Sequence, residues 1–376
     1  MNNKNIFISC GEVSGDIYAG DFIREILKLI PDLEIWGMMG INGKKSGGAA
    51  VWSYDELKLM GFIEIIPALP RIFKLKNEMT REILKKNPVA VILIDSPDFH
   101  LMLAKNLRRC GYSGKIISLV PPTVWAWRSG RVKNLIRDYD FCLPLFYFEH
   151  EYLISHGAKS YWTAHPLVHD LKNYKLTEKF TTRFKNDPVI ALMPGSRAYD
   201  IKFHLEILLK TAEILRKKNY RPVFSVARGL SDDLAQILRE KVSKFKYDIW
   251  EYEGRELMSG ALAVAGVSGT VAVEAMLLNK FMVVIYNMKK FTHWLLKKLV
   301  HVKKISIPNY LSVKPIYPEL ICGDAQPEKI VSELEKYLLD ENLKNEIDSR
   351  LTSAKNLMGN SNAAEFWAEC VKKSIN

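Results

Sequence analysis

Five apolar residues in a row, Val189 to Met193, precede Pro194 and Gly195, and apolar positions then recur at helical spacing from Ile201 to Leu215. The run predicts a buried strand, the Pro-Gly step a sharp turn, and the periodic stretch a helix beginning near Ser196. A helix start presents backbone N–H groups without intrahelical partners and the positive end of the helix dipole. A strand, a glycine turn and a helix N-terminus therefore predict an anion site, with Arg197 beside it.

The same alternation runs through both halves of the chain. In the first half NIFISC (5–10), LEIWGMMG (33–40), VAVILID (89–95) and KIISLV (115–120) read as strands, and FIREILKLI (22–30) as a helix. In the second, PVFSVA (222–227), LAVAGV (262–267) and FMVVIY (281–286) read as strands, and VAVEAMLLN (271–279) as a helix despite its valines. Strands separated by helical patterns predict parallel sheets, so the fold class is α/β, with two consecutive open domains offering a cleft. The expected boundaries are an N-terminal domain over 1–170, a polar linker over 171–187 and a second domain from 188 to 355. Ligands of such folds bind at the carboxyl ends of strands. Five unusual turns fall there: GEVSGD, DSPDF, PPTVWAWR, PGSR and SGT.

A length of 376 residues with 48% apolar composition suffices for two cores. The formal net charge of +12 adds an attraction for nucleic acid, acidic lipid or phosphorylated small molecules. Its Lys and Arg residues are scattered through helices, with no nucleic-acid module or basic tail, so nucleic acid is not an expected partner. Five cysteines without a CxxC pair point to a reducing compartment. The first apolar run stops at Gly11 and Glu12, as a strand does and a signal peptide does not. No run reaches the ~18 apolar residues of a spanning helix.

The turns carry the chemistry. GEVSGD (11–16) offers Glu12 as a carboxylate and Ser14 as a cap, and lacks the order of a dinucleotide or P-loop fingerprint. GINGKKSGG (40–48) reads as a loop. Asp95 ends a buried strand, where a carboxylate is costly unless paired or useful, and Asp98 follows it closely enough to separate the two pKa values. In PPTVWAWRSGR (121–131), Trp125, Trp127, Arg128 and Arg131 suit either a sugar phosphate or lipid headgroup, or a packed corner. Ser268, Gly269 and Thr270 present N–H groups and hydroxyls to a diphosphate, and Glu274, one helical turn inside, reaches a ribose diol. Asn309, after Pro308, is a polar contact candidate. No His and acid cluster has metal spacing, and no GxSxG elbow surrounds Ser14, Ser196 or Ser268.

Taken in order, GEVSGD, DSPDF, PPTVWAWR, AHPL, LMPGSR, SGTVAVE, MVVIYNMKKFTHW and SIPNYL resemble the lipid-A-disaccharide synthase family along nearly the whole chain. The resemblance implies two Rossmann-like domains facing a cleft, the GT-B arrangement, with residues 356–376 crossing back to the first domain. It implies transfer of the sugar of UDP-2,3-diacylglucosamine to the 6-hydroxyl of 2,3-diacylglucosamine 1-phosphate, giving the β-1,6 disaccharide 1-phosphate and UDP. It implies no metal and no cofactor, UDP being part of the donor, and a peripheral site on the cytoplasmic face of the bacterial inner membrane. Its functional positions fall on Glu12, Asp95, Arg197, Glu274 and Asn309. His100, Pro122, Ala164 and Cys322 depart from its usual residues, the first two on the acceptor side.

An inverting displacement needs a base and a site for the leaving diphosphate. Asp95 is the expected base, with Asp98 and Glu12 behind it, and Ser196, Arg197 and Ser268–Thr270 form the leaving-group site. The stretch 59–79, with Phe62, Ile63, Ile65, Ile66, Leu69, Ile72 and Phe73 among Arg71, Lys74 and Lys76, suits an anionic bilayer. A nucleotide-sugar epimerase acting on a soluble UDP-sugar, or a non-catalytic nucleotide-binding protein, are the alternatives.

Overall fold

The computed structural model describes residues 4–57, 65–288 and 304–376. It divides into two compact units, one of residues 1–169 with 359–376, the other of residues 170–358. In the first, strands β1 (Asn5–Cys10), β2 (Glu34–Met38), β3 (Ala49–Trp52), β4 (Ala90–Ile94), β5 (Lys115–Leu119) and β6 (Phe141–Leu143) form one parallel sheet in the order β3-β2-β1-β4-β5-β6. In the second, β7 (Val189–Met193), β8 (Arg221–Ser225), β9 (Asp248–Trp250), β10 (Ala263–Val267), β11 (Met282–Tyr286) and β12 (Glu319–Ile321) are ordered β12-β11-β10-β7-β8-β9. Counted from each unit's own first strand, the two orders are the same Rossmann order. Each reverses direction between its first and fourth strands, the switch point at which ligands of such folds bind.

The central strands are buried end to end. Ile6 to Cys10 pair with Ala90 to Ile94, and Ile190 to Met193 with Ala263 to Gly266. Sheets covered on both faces need such continuous apolar runs. Helices α1 (Val13–Leu29), α2 (Ile41–Lys45), α3 (Ile65–Lys86), α4 (Pro97–Arg109), α5 (Val132–Asp138) and α6 (Tyr147–Ser155) belong to the first unit. The unit boundary falls within α7 (Pro166–Leu171). The second unit holds α8 (Glu178–Arg183), α9 (Ala198–Lys217), α10 (Asp232–Lys244), α11 (Gly254–Gly260) and α12 (Thr270–Leu277) among its helices. The last helix, Ala363–Ile375, packs in the first unit, where Trp367 is buried 6.1 Å from the Tyr18 ring of α1.

Three expectations change. Residues 171–187 are not a free linker: α8 lies within them, capped by Thr177, and buries Phe180 and Phe184 against Trp250. Two aromatic residues in a polar stretch are enough to dock it. GINGKKSGG is not a loop throughout, because α2 occupies its centre. GEVSGD is not a turn throughout either: Val13 to Asp16 already form the first turn of α1, and Ser14 is exposed there without capping it.

The 59–79 stretch divides as well. Phe62, Ile63 and the side chains of Ile65 and Ile66 lie outside the described residues, as do residues 289–294 of the MVVIYNMKKFTHW motif. On α3 Ile72 is buried with Leu75, Met79 and Ile83 in the core, while Leu69 and Phe73 are exposed. Successive helical side chains are turned by about 100°, enough to carry Phe73 out of the core face that holds Ile72. Lys76 lies 5.4 Å over the Phe73 ring.

Candidate active site

Asp95 follows β4 directly, at the switch point of the first unit. Its backbone is left-handed (φ 55), and so is that of Ser96 (φ 40). Each non-glycine residue held this way costs about 1–3 kcal/mol, and such strain gathers at functional sites. The turn aims the carboxyl at the end of β1. There Gly11 N–H donates to Oδ1 at 2.9 Å. Oδ2 is buried without a hydrogen bond, beside Gly15, where an added Cβ would lie 1.9 Å from it. Gly11 is equally constrained, since a Cβ there would meet Ser96 Oγ at 1.7 Å. The two glycines of GEVSGD thus make room for the Asp95–Ser96 turn.

Burial pushes the Asp95 carboxyl up from 3.8 to about 7. The Gly11 and Glu12 N–H groups and the Ser96 hydroxyl oppose the rise, and the charge of Glu12 adds to it. Asp98 plays no part: its side chain is 72% exposed and paired with Arg128, at 3.0 Å, and Arg131. The expectation that Asp98 tunes Asp95 is therefore corrected. Helix α4 turns Asp98 toward Arg128 and Arg131, which both donate to its Oδ1. Glu12 is exposed at the start of α1, close enough to Asp95 for their charges to couple.

His100 does not face an acceptor. It is 2% exposed, with Nδ1 2.8 Å from the Asp95 carbonyl oxygen and Nε2 2.8 Å from Ser9 Oγ. Burial lowers its pKa to about 4. The Trp125 indole is also committed, donating at 2.9 Å to Glu149, whose buried carboxyl is pushed up to about 7. Of that loop, Trp127 stays exposed with Arg128 stacked 4.2 Å over its ring. Ala164 is buried and Pro122 half-buried.

Asp16, the last residue of GEVSGD, ties that motif to α2. It accepts from the N–H groups of Gly40, Asn42 and Gly43 and from the Asn42 side chain, at 2.6 to 3.2 Å. These are the donors that a helix start leaves unpaired. Its position at the end of the motif is a signal in the sequence; its partners, 24 to 27 residues away, are not.

In the second unit the turns after β7 and β10 flank the switch point. The expected free N–H groups of PGSR are not all free, because Asp200 Oδ2 accepts from Ser196 N at 3.3 Å and Arg197 N at 3.2 Å. An acid three residues into a helix reaches back in this way. Ser196 and Arg197 remain exposed. The start of α12 differs. No side chain caps it, and Gly269, at φ 152, has open space where a side chain would be. Glu274, one turn inside α12, accepts from Arg255 Nε of α11 at 2.7 Å, and burial raises its pKa. Nothing in the sequence singled out Arg255.

Asn309 offers no amide to a ligand. Its Nδ2 donates to Tyr317 O and Glu319 Oε1, and its Oδ1 accepts from Ile316 N and Tyr317 N, all within 2.9 Å. Two donors and two acceptors use its whole capacity, so it braces the chain ahead of β12. Cys322 lies just beyond β12, half-buried, with φ 51. Among the described residues no group of three His, Cys, Asp or Glu could hold a metal ion.

A model of the lipid-A-disaccharide synthetase family matches residues 6–371. The lipid-A-disaccharide synthase of Chromohalobacter salexigens is 32% identical over 356 residues, which cover 93% of this chain and 91% of that protein. Among solved structures, the UDP-GlcNAc 2-epimerase of Neisseria meningitidis bound to UDP-GlcNAc has a TM-score of 0.65 at 12% identity, covering 98% of this chain and all of that one. The calicheamicin glycosyltransferase has a TM-score of 0.60 at 12% identity, covering 100% of this chain and 99% of its own. At such identities the solved structures speak for the fold, two Rossmann-like domains of the GT-B type. The match that spans both units, from the first strand to the last helix, speaks for more: this chain belongs to the lipid-A-disaccharide synthetase family.

Proposed function

We propose that the chain transfers 2,3-diacylglucosamine from its UDP derivative to the 6-hydroxyl of 2,3-diacylglucosamine 1-phosphate, releasing UDP, with Asp95 as the base. The observation that carries the base assignment is the buried Oδ2 of Asp95, without a partner at the β1–β4 switch point, on a carboxyl raised to about 7. A base poised near the working pH combines adequate ionisation with useful proton affinity. Family membership supplies the substrates: a UDP-sugar donor and an acyl-sugar acceptor.

As the acceptor oxygen forms its bond to the anomeric carbon, its proton passes to Asp95. The bond from that carbon to the diphosphate breaks, and its electron pair leaves with UDP. Inversion at this one step turns an α-linked donor into a β-linked product. The leaving charge is assigned to the N–H groups of Ser268, Gly269 and Thr270 and to Arg197. Fixed donors of this kind contribute roughly 3 kcal/mol each to the transition state. Glu274, oriented by Arg255, is assigned to the ribose, and no metal is required. Asn309, whose amide is fully used, holds the frame instead. The working place is the cytoplasmic face of the inner membrane, with Leu69 and Phe73 among the contacts. Among the described residues no helix is long and apolar enough to cross a membrane.

The test is incubation of the purified protein and of Asp95→Asn with both acylated sugars. Disaccharide and UDP from the first, with turnover about 100-fold lower in the second, is the expected result. An epimerase reading draws on the fold of the Neisseria enzyme and predicts epimerisation of a soluble UDP-sugar without any acceptor.

A further inference from the structure

We infer that His100 is a positioning residue for Asp95, its Nδ1–H holding the Asp95 carbonyl so that the carboxyl stays in the Gly11–Gly15 cradle. This role rests on the assignment of Asp95 as the base.

The direction of each hydrogen bond follows from the partners. A carbonyl oxygen only accepts, so Nδ1, 2.8 Å from Asp95 O, carries the proton. Nε2, 2.8 Å from Ser9 Oγ, then accepts from the serine hydroxyl. Burial keeps the ring neutral, which this arrangement requires. One side chain of α4 is thereby locked to a hydroxyl of β1 and to the peptide that leaves β4.

That peptide needs holding. Asp95 and Ser96 are consecutive non-glycine residues with left-handed backbones. The Asp95 N–H donates to Leu119 O at 3.3 Å, and the Ser96 carbonyl accepts from Phe99 N and His100 N in the opening turn of α4. Between these two fixed ends lies the Asp95 carbonyl, and His100 Nδ1–H is its donor. Without that donor the peptide is free to rotate toward an ordinary conformation, carrying the carboxyl away from Gly11 N–H and toward water. A carboxyl relieved of burial returns toward its ordinary acidity.

The charged and titratable groups around Asp95 set the background for a pH test. From α1, Glu12 raises its pKa. At the end of β1 the Cys10 thiol is pushed well up by burial, with Asp16 and Asp95 adding to the rise, and so stays neutral. On α4, Asp98 is occupied by Arg128 and Arg131. His100 is neutral, so its substitution removes a donor and not a charge.

Three variants separate positioning from bulk. His100→Asn places its amide nitrogen near the Nδ1 position and keeps the donor. His100→Gln places it near Nε2 and loses it, and His100→Ala removes both. The experiment follows the carboxyl of Asp95 by carbon NMR in aspartate-labelled protein, assigned by its absence in Asp95→Asn, beside the pH profile of kcat and the KM for UDP-2,3-diacylglucosamine. The expected result is titration near 7 in the wild type and H100N, and at least about one unit lower in H100Q and H100A. There kcat falls on the order of 10-fold to 100-fold, with KM changed by less than about twofold. Titration and kcat that ignore H100Q and H100A overturn the positioning role. Turnover retained by Asp95→Asn overturns the base assignment beneath it, a different result in a different variant.

Discussion

A carboxyl that folding prefers protonated has a signature separable from its chemistry. Asp95 is raised by burial from 3.8 to about 7, so its contribution to stability is full below pH ~4 and is lost as the pH rises through 7. Ionised Asp95 then costs at most about 4 kcal/mol. Asp95→Asn removes that loss. It is expected to be more stable than the wild type at pH 8, by about 1–4 kcal/mol, with the gap closing below pH ~4. Denaturant unfolding at the two pH values measures it, and a gap independent of pH would show that Asp95 is not held as described. The opposite pattern is expected at Asn309. Asn309→Ala leaves buried N–H and C=O groups unpaired at about 1–3 kcal/mol each, while UDP affinity, measured on protein that remains folded, stays within about threefold. A large loss of UDP affinity in folded N309A would return this residue to the ligand.

At the scale of elements, the two helix starts of the second unit are expected to behave differently. The turn before α9 is already occupied by Asp200, whereas the start of α12 has no side-chain cap. Bulk at Gly269 therefore strikes the proposed diphosphate site directly: Gly269→Val is expected to weaken UDP binding by tenfold or more, measured by calorimetry. Arg197→Ala is expected to weaken donor handling through its lost charge, read as a raised donor KM. Unchanged binding in G269V would move the diphosphate elsewhere. The central strands were legible in the sequence because a sheet covered on both faces demands unbroken apolar runs such as Val189–Met193 and Ala90–Ile94. The short β6, β9 and β12, three residues each, were not, since three residues show no period. Asp95 was legible from its place at a strand end. Asp16, Arg255 and Asp200 were not, because their roles depend on which turns the topology brings beside them. Asp98 misled because closeness in sequence is not closeness in space once a helix begins between two residues.

For the whole molecule, the proposed membrane contact rests on a small patch. Leu69 and Phe73 are exposed among Arg71 and Lys74, whereas Ile72 is core. Leu69→Ser with Phe73→Ser is expected to reduce binding to vesicles containing anionic lipid severalfold with an unchanged melting temperature. Ile72→Ser is expected to destabilise the fold instead. Equal vesicle binding by the double variant would remove this patch from the account. The central claim, inverting transfer between two acylated sugars with Asp95 as base, is tested most directly by one assay. Purified protein is given UDP-2,3-diacylglucosamine and 2,3-diacylglucosamine 1-phosphate in the presence of a chelator, with Asp95→Asn in parallel, and UDP and disaccharide are measured. The account predicts equal amounts of UDP and β-linked disaccharide from the wild type, and about 100-fold less of both from the variant. No disaccharide from the wild type, or undiminished turnover by Asp95→Asn, would contradict it.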